Sequence, residues 1–343
     1  METRYPRNAW YVAAWSKDLD QESGKPLPVE IMGEPIALWR SNGALVAFEN
    51  RCVHRAAPLS LGRCEGGNLR CMYHGFLYSA AGSVVEIPGQ ESVPDHARVK
   101  TYPVAGRSGW IWVWMGDTEA ADLDLIPDVF DLDDPDYLLV PGQLDYEAEA
   151  SLILDNLLDF SHLTYVHSES FGSGSEFAYS HPRWETLPRG LRYSKWTTGT
   201  RSPPGQAGQN SAVDVLLTYD FLVPGVLVLW TGLFEAGTAE HLEYAQPDRS
   251  AAIGGVSGSS QAVTPLSRGR SRYFFSAGPH RSCGDEQERE RQAAVAMQAF
   301  LEDKAMIEAQ QKIIESTRPD VMPSSHDWAI TYFHGLQHKL SGG

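Results

Sequence analysis

Through the first third of the chain, apolar and polar residues alternate in short runs broken by turn-formers, the period-two pattern of strands. Pro35 to Arg40 and Ala44 to Glu49 flank Ser41-Asn42-Gly43, a sequence suited to a tight hairpin. Phe76 to Tyr78 and Ser83 to Ile87 flank Ala80-Ala81-Gly82 in the same manner. Trp110, Trp112 and Trp114 alternate with Ile111, Val113 and Met115. Both faces of that segment are apolar, so it reads as the central strand of a small sandwich. The acidic stretch Asp117 to Asp136, with Pro127 and Pro135, breaks the pattern. It reads as a linker between a first domain, residues 1–118, and a second, residues 119–343. An amphipathic helix is expected from Ala150 to His167, then alternating strands to about residue 278, interrupted by the Gly/Pro/Ser-rich stretch Gly199 to Gly208. A long helix from Asp285 to Ser316 closes the pattern. Residues 201–210 and 254–260 are low in complexity and are expected to be mobile loops. Antiparallel strands followed by strands packed against segregated helices make the chain α+β.

Candidate chemistry enters with Cys52, His54, Cys71 and His74, arranged as Cys-x-His, sixteen residues, then Cys-x-x-His. Each half pairs one thiolate with one imidazole at the short spacing of a metal-binding loop. Zinc fingers usually group two Cys in one half and two His in the other. A mixed pair in each half favours the Rieske type of [2Fe–2S] centre, in which two imidazoles replace two thiolates on one iron.

A second motif lies on the expected helix, Asp155-Asn156-Leu157-Leu158-Asp159-Phe160-Ser161-His162 through His167. On a regular helix Asp155, Asp159 and His162 share a face. His167, five residues beyond His162, is rotated about 140° from it. Both imidazoles reach one ion only if the helix ends, kinks or bulges. Taken alone, His162 and His167 read equally as satisfied core histidines; as metal ligands they need a carboxylate to complete the two-His, one-carboxylate set that leaves three positions of an Fe(II) ion open. By residue type, Glu302 and Asp303 both qualify as the carboxylate. Asp303 has Ala299, Phe300, Met306 and Ile307 at helical offsets, and a carboxylate buried there is costly unless it binds a cation. Asp303 is therefore preferred, with Glu302 on a wetter side.

The run Cys52-Val53-His54-Arg55-Ala56-Ala57-Pro58-Leu59-Ser60 with Cys71-Met72-Tyr73-His74-Gly75 resembles the Rieske non-haem iron oxygenases. Within them it is most similar to the oxygenase subunits of the vanillate O-demethylase, toluenesulfonate methyl-monooxygenase and dicamba demethylase group. The likeness extends from Arg7-Asn8-Ala9-Trp10-Tyr11 to about Ile314 and fades between residues 172 and 258. The resemblance implies an antiparallel Rieske domain followed by a helix-grip-like catalytic domain with mononuclear Fe(II) on His162, His167 and a carboxylate that matches Phe300-Leu301-Glu302-Asp303-Lys304. It also implies that Asp159 joins the cluster ligand His74 of one subunit to the iron ligand His162 of the next, in a homotrimer. Asn156, one turn earlier, is a candidate to orient water near the iron. The implied activity is O2-dependent hydroxylation or O-demethylation of an aromatic acid. Ring cis-dihydroxylation and a non-catalytic electron carrier are the alternatives. A free Rieske carrier would be about a hundred residues and would lack the His162–His167 segment.

Composition narrows the partners. No G-x-G-x-x-G loop follows a strand, so NAD(P)H is expected to be oxidised by a separate reductase of flavin or ferredoxin type. A net charge of −16 argues against nucleic acid, whose phosphates need basic side chains. No apolar run spans a membrane and no signal peptide is visible. Cys64 and Cys283 read as free thiols, which suits the cytoplasm.

Overall fold

The computed structural model describes residues 5–19, 24–168, 170, 182–201 and 211–341. It divides into two compact units. The first is Tyr5–Ile126 with Thr264–Arg268, and the second is Pro127–Val263 with the residues from Gly269 onward.

The first unit consists of three small antiparallel sheets. Trp110–Met115 is the middle strand of one, between Ala9–Trp15 and Val104–Arg107, and it is buried throughout. The hairpin of Glu34–Ser41 and Ala44–Glu49 closes on Asn42 and Gly43, at φ +50° and +89°. Two positive φ values are what a two-residue turn between right-twisted strands requires. A third sheet, Arg63–Glu65, Asn68–Arg70, Leu77–Tyr78 and Val84–Glu86, holds the Cys71–His74 loop between its second and third strands, while the Cys52–His54 loop lies between Ala44–Glu49 of the hairpin and the first strand of this sheet. The indoles of Trp10 and Trp114 donate to the carbonyls of Asp122 and Asp117, each at 2.7 Å. These bonds keep the acidic stretch with the first unit as far as Ile126, beyond the expected limit at 118.

The second unit is built on a seven-stranded sheet. Across it run Val140–Tyr146, Arg270–Pro279, Gly254–Ser267, Val226–Glu235, Ala212–Leu222, Gly190–Arg201 and Arg183–Leu187. Helices cover one face: Phe300 packs on Tyr273 and Phe275, and Phe333 on Phe221. The other face is sealed by Trp196, Leu216, Trp230 and Phe234 with Phe130 of the linker. The long helix Glu286–Thr317 starts where expected, its first turn capped by Asp285, which accepts from Glu288 N at 3.0 Å. No described helix is long and apolar enough to cross a membrane.

Two expectations are corrected. Residues 254–260 are not a loop but the start of the strand Gly254–Ser267. Ser260 Oγ accepts from Phe130 N at 2.9 Å, and a Cβ on Gly258 would meet the Phe130 ring at 2.9 Å. Small residues there make room for that ring, so low complexity records close packing. (Of the other expected loop, residues 202–210 lie outside the described residues.) The second correction is that the helix from Ala150 does not run to His167. It ends at Leu158; Asp159 is extended, at φ −122° and ψ 95°, and its carboxylate accepts from Ser161 N at 2.9 Å. An Asp that bonds its own downstream backbone competes with the helix ladder. Phe160–His162 then forms a 3₁₀ turn and Leu163–Val166 a single α-turn, with His167 just past its end.

Candidate metal centres

The two Cys-His loops of the first unit share one hydrogen-bond pattern. Cys52 N donates to Ala57 O at 2.8 Å and Ala56 N to Cys52 O at 2.9 Å. Cys71 N donates to Phe76 O at 2.8 Å and Gly75 N to Cys71 O at 3.0 Å. Each loop reverses through a left-handed residue four places after its Cys, Ala56 at φ +54° and Gly75 at φ +77°. At Gly75 a Cβ would also lie 2.8 Å from Pro88 Cγ, so both conformation and space select glycine. This shape buries the thiols and projects the imidazoles. Cys52 and Cys71 are 3% and 2% exposed, whereas His54 and His74 are exposed, with ring centroids 4.5 Å apart. Tyr78 Oη donates to Cys52 Sγ and accepts from Val53 N, both at 3.1 Å.

A buried thiol pair beside an exposed imidazole pair is the division of donors that a Rieske centre uses. A single zinc ion would draw all four donors to one point. Among the described residues only His162, His167 and Asp303 converge in that way, with donor atoms within 4.8 Å of one another.

That convergence is built from two distant segments. His162 Nε2 and His167 Nε2 each lie 3.4 Å from Asp303 Oδ1. Such a spacing suits donors about 2.1 Å from a shared ion. The outer ring nitrogens are both engaged: His162 Nδ1 meets the Asp159 carbonyl at 2.6 Å, and His167 Nδ1 meets Glu302 Oε2 at 2.9 Å. Carbonyl and carboxylate oxygens only accept, so each Nδ1 carries the proton and each Nε2 lone pair faces inward. Burial pushes the His162 imidazole pKa down, against the pull of Asp303. For His167 burial acts in the same direction, but the Asp303 and Glu302 carboxylates outweigh it and raise the pKa. Asn156 Nδ2 donates to Asp303 Oδ1 at 3.0 Å and lies 3.4 Å from His162 Nε2.

Of the two neighbouring carboxylates, Asp303 faces both imidazoles' inner nitrogens, whereas Glu302 stands behind His167. The stripe around Asp303 differs from the expected one. Ala299, Asp303, Ile307 and Gln311 are the buried residues of the long helix, while Met306 is 57% exposed. The expected shared face of Asp155, Asp159 and His162 does not form, because the helix stops before Asp159. Asp155 Oδ1 instead lies 2.8 Å from His334 Nε2 of the helix Trp328–Leu340, an ion pair by distance without hydrogen-bond alignment. Within the chain, His162 meets the main-chain carbonyl of Asp159 and not its carboxylate, which corrects that half of the expected bridge.

The N-terminal part, residues 9–103, matches the Rieske [2Fe-2S] domain, and residues 146–333 match the vanillate O-demethylase oxygenase C-terminal domain. The chain belongs to the Rieske oxygenases of the vanillate O-demethylase kind. The oxygenase is 36% identical over 344 residues to the toluene-4-sulfonate monooxygenase system iron-sulfur subunit of Comamonas testosteroni, covering 97% of this chain and 96% of that one. It is 40% identical over 165 residues to the dicamba O-demethylase oxygenase component of Stenotrophomonas maltophilia, 48% of each. The crystal structure of dicamba monooxygenase bound to dicamba superposes with a TM-score of 0.83 at 27% identity, over 98% of this chain and 97% of that one.

Sequence reasoning missed Tyr78, whose hydroxyl reaches Cys52 from a strand with no distinguishing pattern. It also missed the pairing of Glu302 with His167 and Ser170. The only signal was the adjacency of two carboxylates, Glu302 and Asp303, and adjacency alone says nothing of direction.

Proposed function

We propose that this protein is the terminal oxygenase of a multi-protein system that hydroxylates a methyl or methoxy carbon of an aromatic acid, a methoxy substrate losing formaldehyde. What carries the reading is the presence in one chain of the paired Cys-His loops and the His162–His167–Asp303 convergence. The relatives named as toluene-4-sulfonate monooxygenase and dicamba O-demethylase components support the substrate class. When bound, the [2Fe–2S] cluster supplies single electrons and the ferrous ion activates O2.

Cys52, His54, Cys71 and His74 would hold the cluster, and His162, His167 and Asp303 the iron. Asn156 keeps the Asp303 carboxylate turned toward the imidazoles. NAD(P)H is oxidised by a separate reductase of flavin or ferredoxin type, in keeping with relatives described as oxygenase components. The subunits form a homotrimer in which His74 of one meets Asp159 of the next. Asp159 lines an open cleft of about 190 Å³ with Phe160, Ser161, Trp184, Tyr193 and Trp328, which supports a contact from outside the chain. A heterologous contact of this kind forms a ring when its rotation closes after three subunits. The role is aromatic compound catabolism in the cytoplasm, where the two cysteines outside the cluster loops, Cys64 and Cys283, stay reduced.

The test supplies reductase, NADH and a panel of methoxy- and methyl-substituted aromatic acids. Formaldehyde or a benzylic alcohol formed in step with NADH is the expected result. A ring cis-diol as sole product, or no iron beyond two per chain, would overturn the reading.

A further inference from the structure

The two imidazoles of the triad are held from behind by unlike groups. His162 Nδ1 rests on a neutral peptide carbonyl, that of Asp159. His167 Nδ1 rests on the carboxylate of Glu302. Consecutive residues of a helix point about 100° apart, and here that divergence lets one helix grip both ends of a single ring. Asp303 Oδ1 faces His167 Nε2 at 3.4 Å while Glu302 Oε2 takes Nδ1 at 2.9 Å. The extra methylene of Glu gives the reach needed to pass behind the imidazole. Both Glu302 oxygens are already engaged. Oε2 also accepts from Ser170 Oγ at 2.8 Å, and Oε1 accepts from Gln298 Nε2 at 3.1 Å. The side chain is 15% exposed, so its charge is only partly screened by water.

We propose that Glu302 is a positioning residue that fixes His167 in the Nδ1–H tautomer and places negative charge behind one of the two iron-binding imidazoles, making His167 the stronger donor. The inference rests on the reading of His162, His167 and Asp303 as the iron ligands. A carboxylate behind a ligating imidazole raises its basicity, and losing such a partner typically weakens metal binding about 10–100-fold. Ser170 and Gln298 hold Glu302 in turn. They keep it from swinging round to become a ligand itself.

The test measures Fe(II) affinity by chelator competition, and the ligand-field spectrum of Co(II) at the same site, with the Rieske absorbance as the check on folding. Glu302→Ala is expected to weaken Fe(II) binding about 10–100-fold with the Rieske spectrum intact. Glu302→Gln keeps an acceptor for Nδ1–H but no charge. It should fall between Glu302→Ala and wild type, with its Co(II) bands shifted, and it carries the test alone if Glu302→Ala does not fold. Wild-type affinity and unshifted bands in Glu302→Gln would overturn the role of the charge. Asp303→Ala separates the two layers. If it loses iron while both Glu302 variants keep wild-type affinity, only this inference fails. If it keeps iron as wild type does, the ligand reading fails and Glu302 has no ion to serve.

Discussion

Cys52, His54, Cys71 and His74 sit on two loops that make the same pair of main-chain hydrogen bonds, so each loop is shaped within six residues of its Cys. The triad of the second unit has no such local frame. Asn156 and Asp303 are 147 residues apart, and His167 and Glu302 are 135 apart. Their meeting depends on how the helix Glu286–Thr317 docks on the sheet. Tyr146 Oη donates to Phe300 O at 3.2 Å, Glu149 N donates to Gln311 Oε1 at 3.0 Å, and Phe300 packs against Tyr273 and Phe275. A site closed by turns should survive damage to distant packing. A site closed by docking should not.

The sharpest way to break that comparison is to remove ligands one site at a time. Cys71→Ser or His74→Ala should abolish the Rieske spectrum and leave the mononuclear iron. His162→Ala, His167→Ala or Asp303→Ala should do the reverse, read by iron analysis and electron paramagnetic resonance. Loss of both signals in either group would mean the two sites are not independent.

Asp159→Asn is next in size. It should keep both metals and the oligomer yet lose nearly all reductase-driven turnover, because the carboxylate proposed to meet His74 of the next subunit is gone. Normal single-turnover electron transfer in that variant, or an active monomer in solution scattering, would refute the bridging role.

Docking alone is tested by Gln311→Ala, which touches no ligand. Gln311 is 6% exposed, and its loss leaves Glu149 N without its acceptor, at a cost of about 1–3 kcal/mol. Mononuclear iron content and the melting of the second unit should fall while the cluster absorbance holds. Equal loss of cluster colour would show that the first site also depends on this packing.

The smallest effect lies in the first unit. Burial works against the charge of Glu34, but Lys100, Arg7 and Tyr102 all donate to it and hold its pKa down to about 2, from an ordinary 4.5. A folded-state pKa below the unfolded value stabilises fully above pH 4.5 and is lost as pH falls from 4.5 toward 2. Acid unfolding followed by tryptophan fluorescence should be less steep through that window in Glu34→Gln than in wild type. Identical curves would remove Glu34 from the account.

Legibility followed the same divide. The hairpin on Asn42-Gly43, the apolar strand Trp110–Met115 and the long helix were readable because each is encoded by period or by turn chemistry. The choice of Asp303 over Glu302 rested on a helical stripe. Asp303 does meet both imidazoles, although Met306 of that stripe is exposed. The pattern misleads where side chains override it. Asp159 caps the next turn and ends the helix, and a run of small residues pairs with Val226–Glu235 as a strand, leaving room for the Phe130 ring. Neither event leaves a mark on periodicity: the first is a side-chain bond to the backbone two residues on, and the second depends on what lies opposite.

By itself, then, the order of residues determined the Cys-His loops, the Asn42-Gly43 hairpin, the long helix and the family to which the chain belongs. The loops, the hairpin and the helix rest on contacts made within a few positions. Only the tertiary structure decided that His162 and His167 face one carboxylate and that Glu302 stands behind His167. The directions of side chains from segments more than a hundred residues apart are set by how a helix seats on a sheet. That seating is a property of the packed core and not of any local run of sequence.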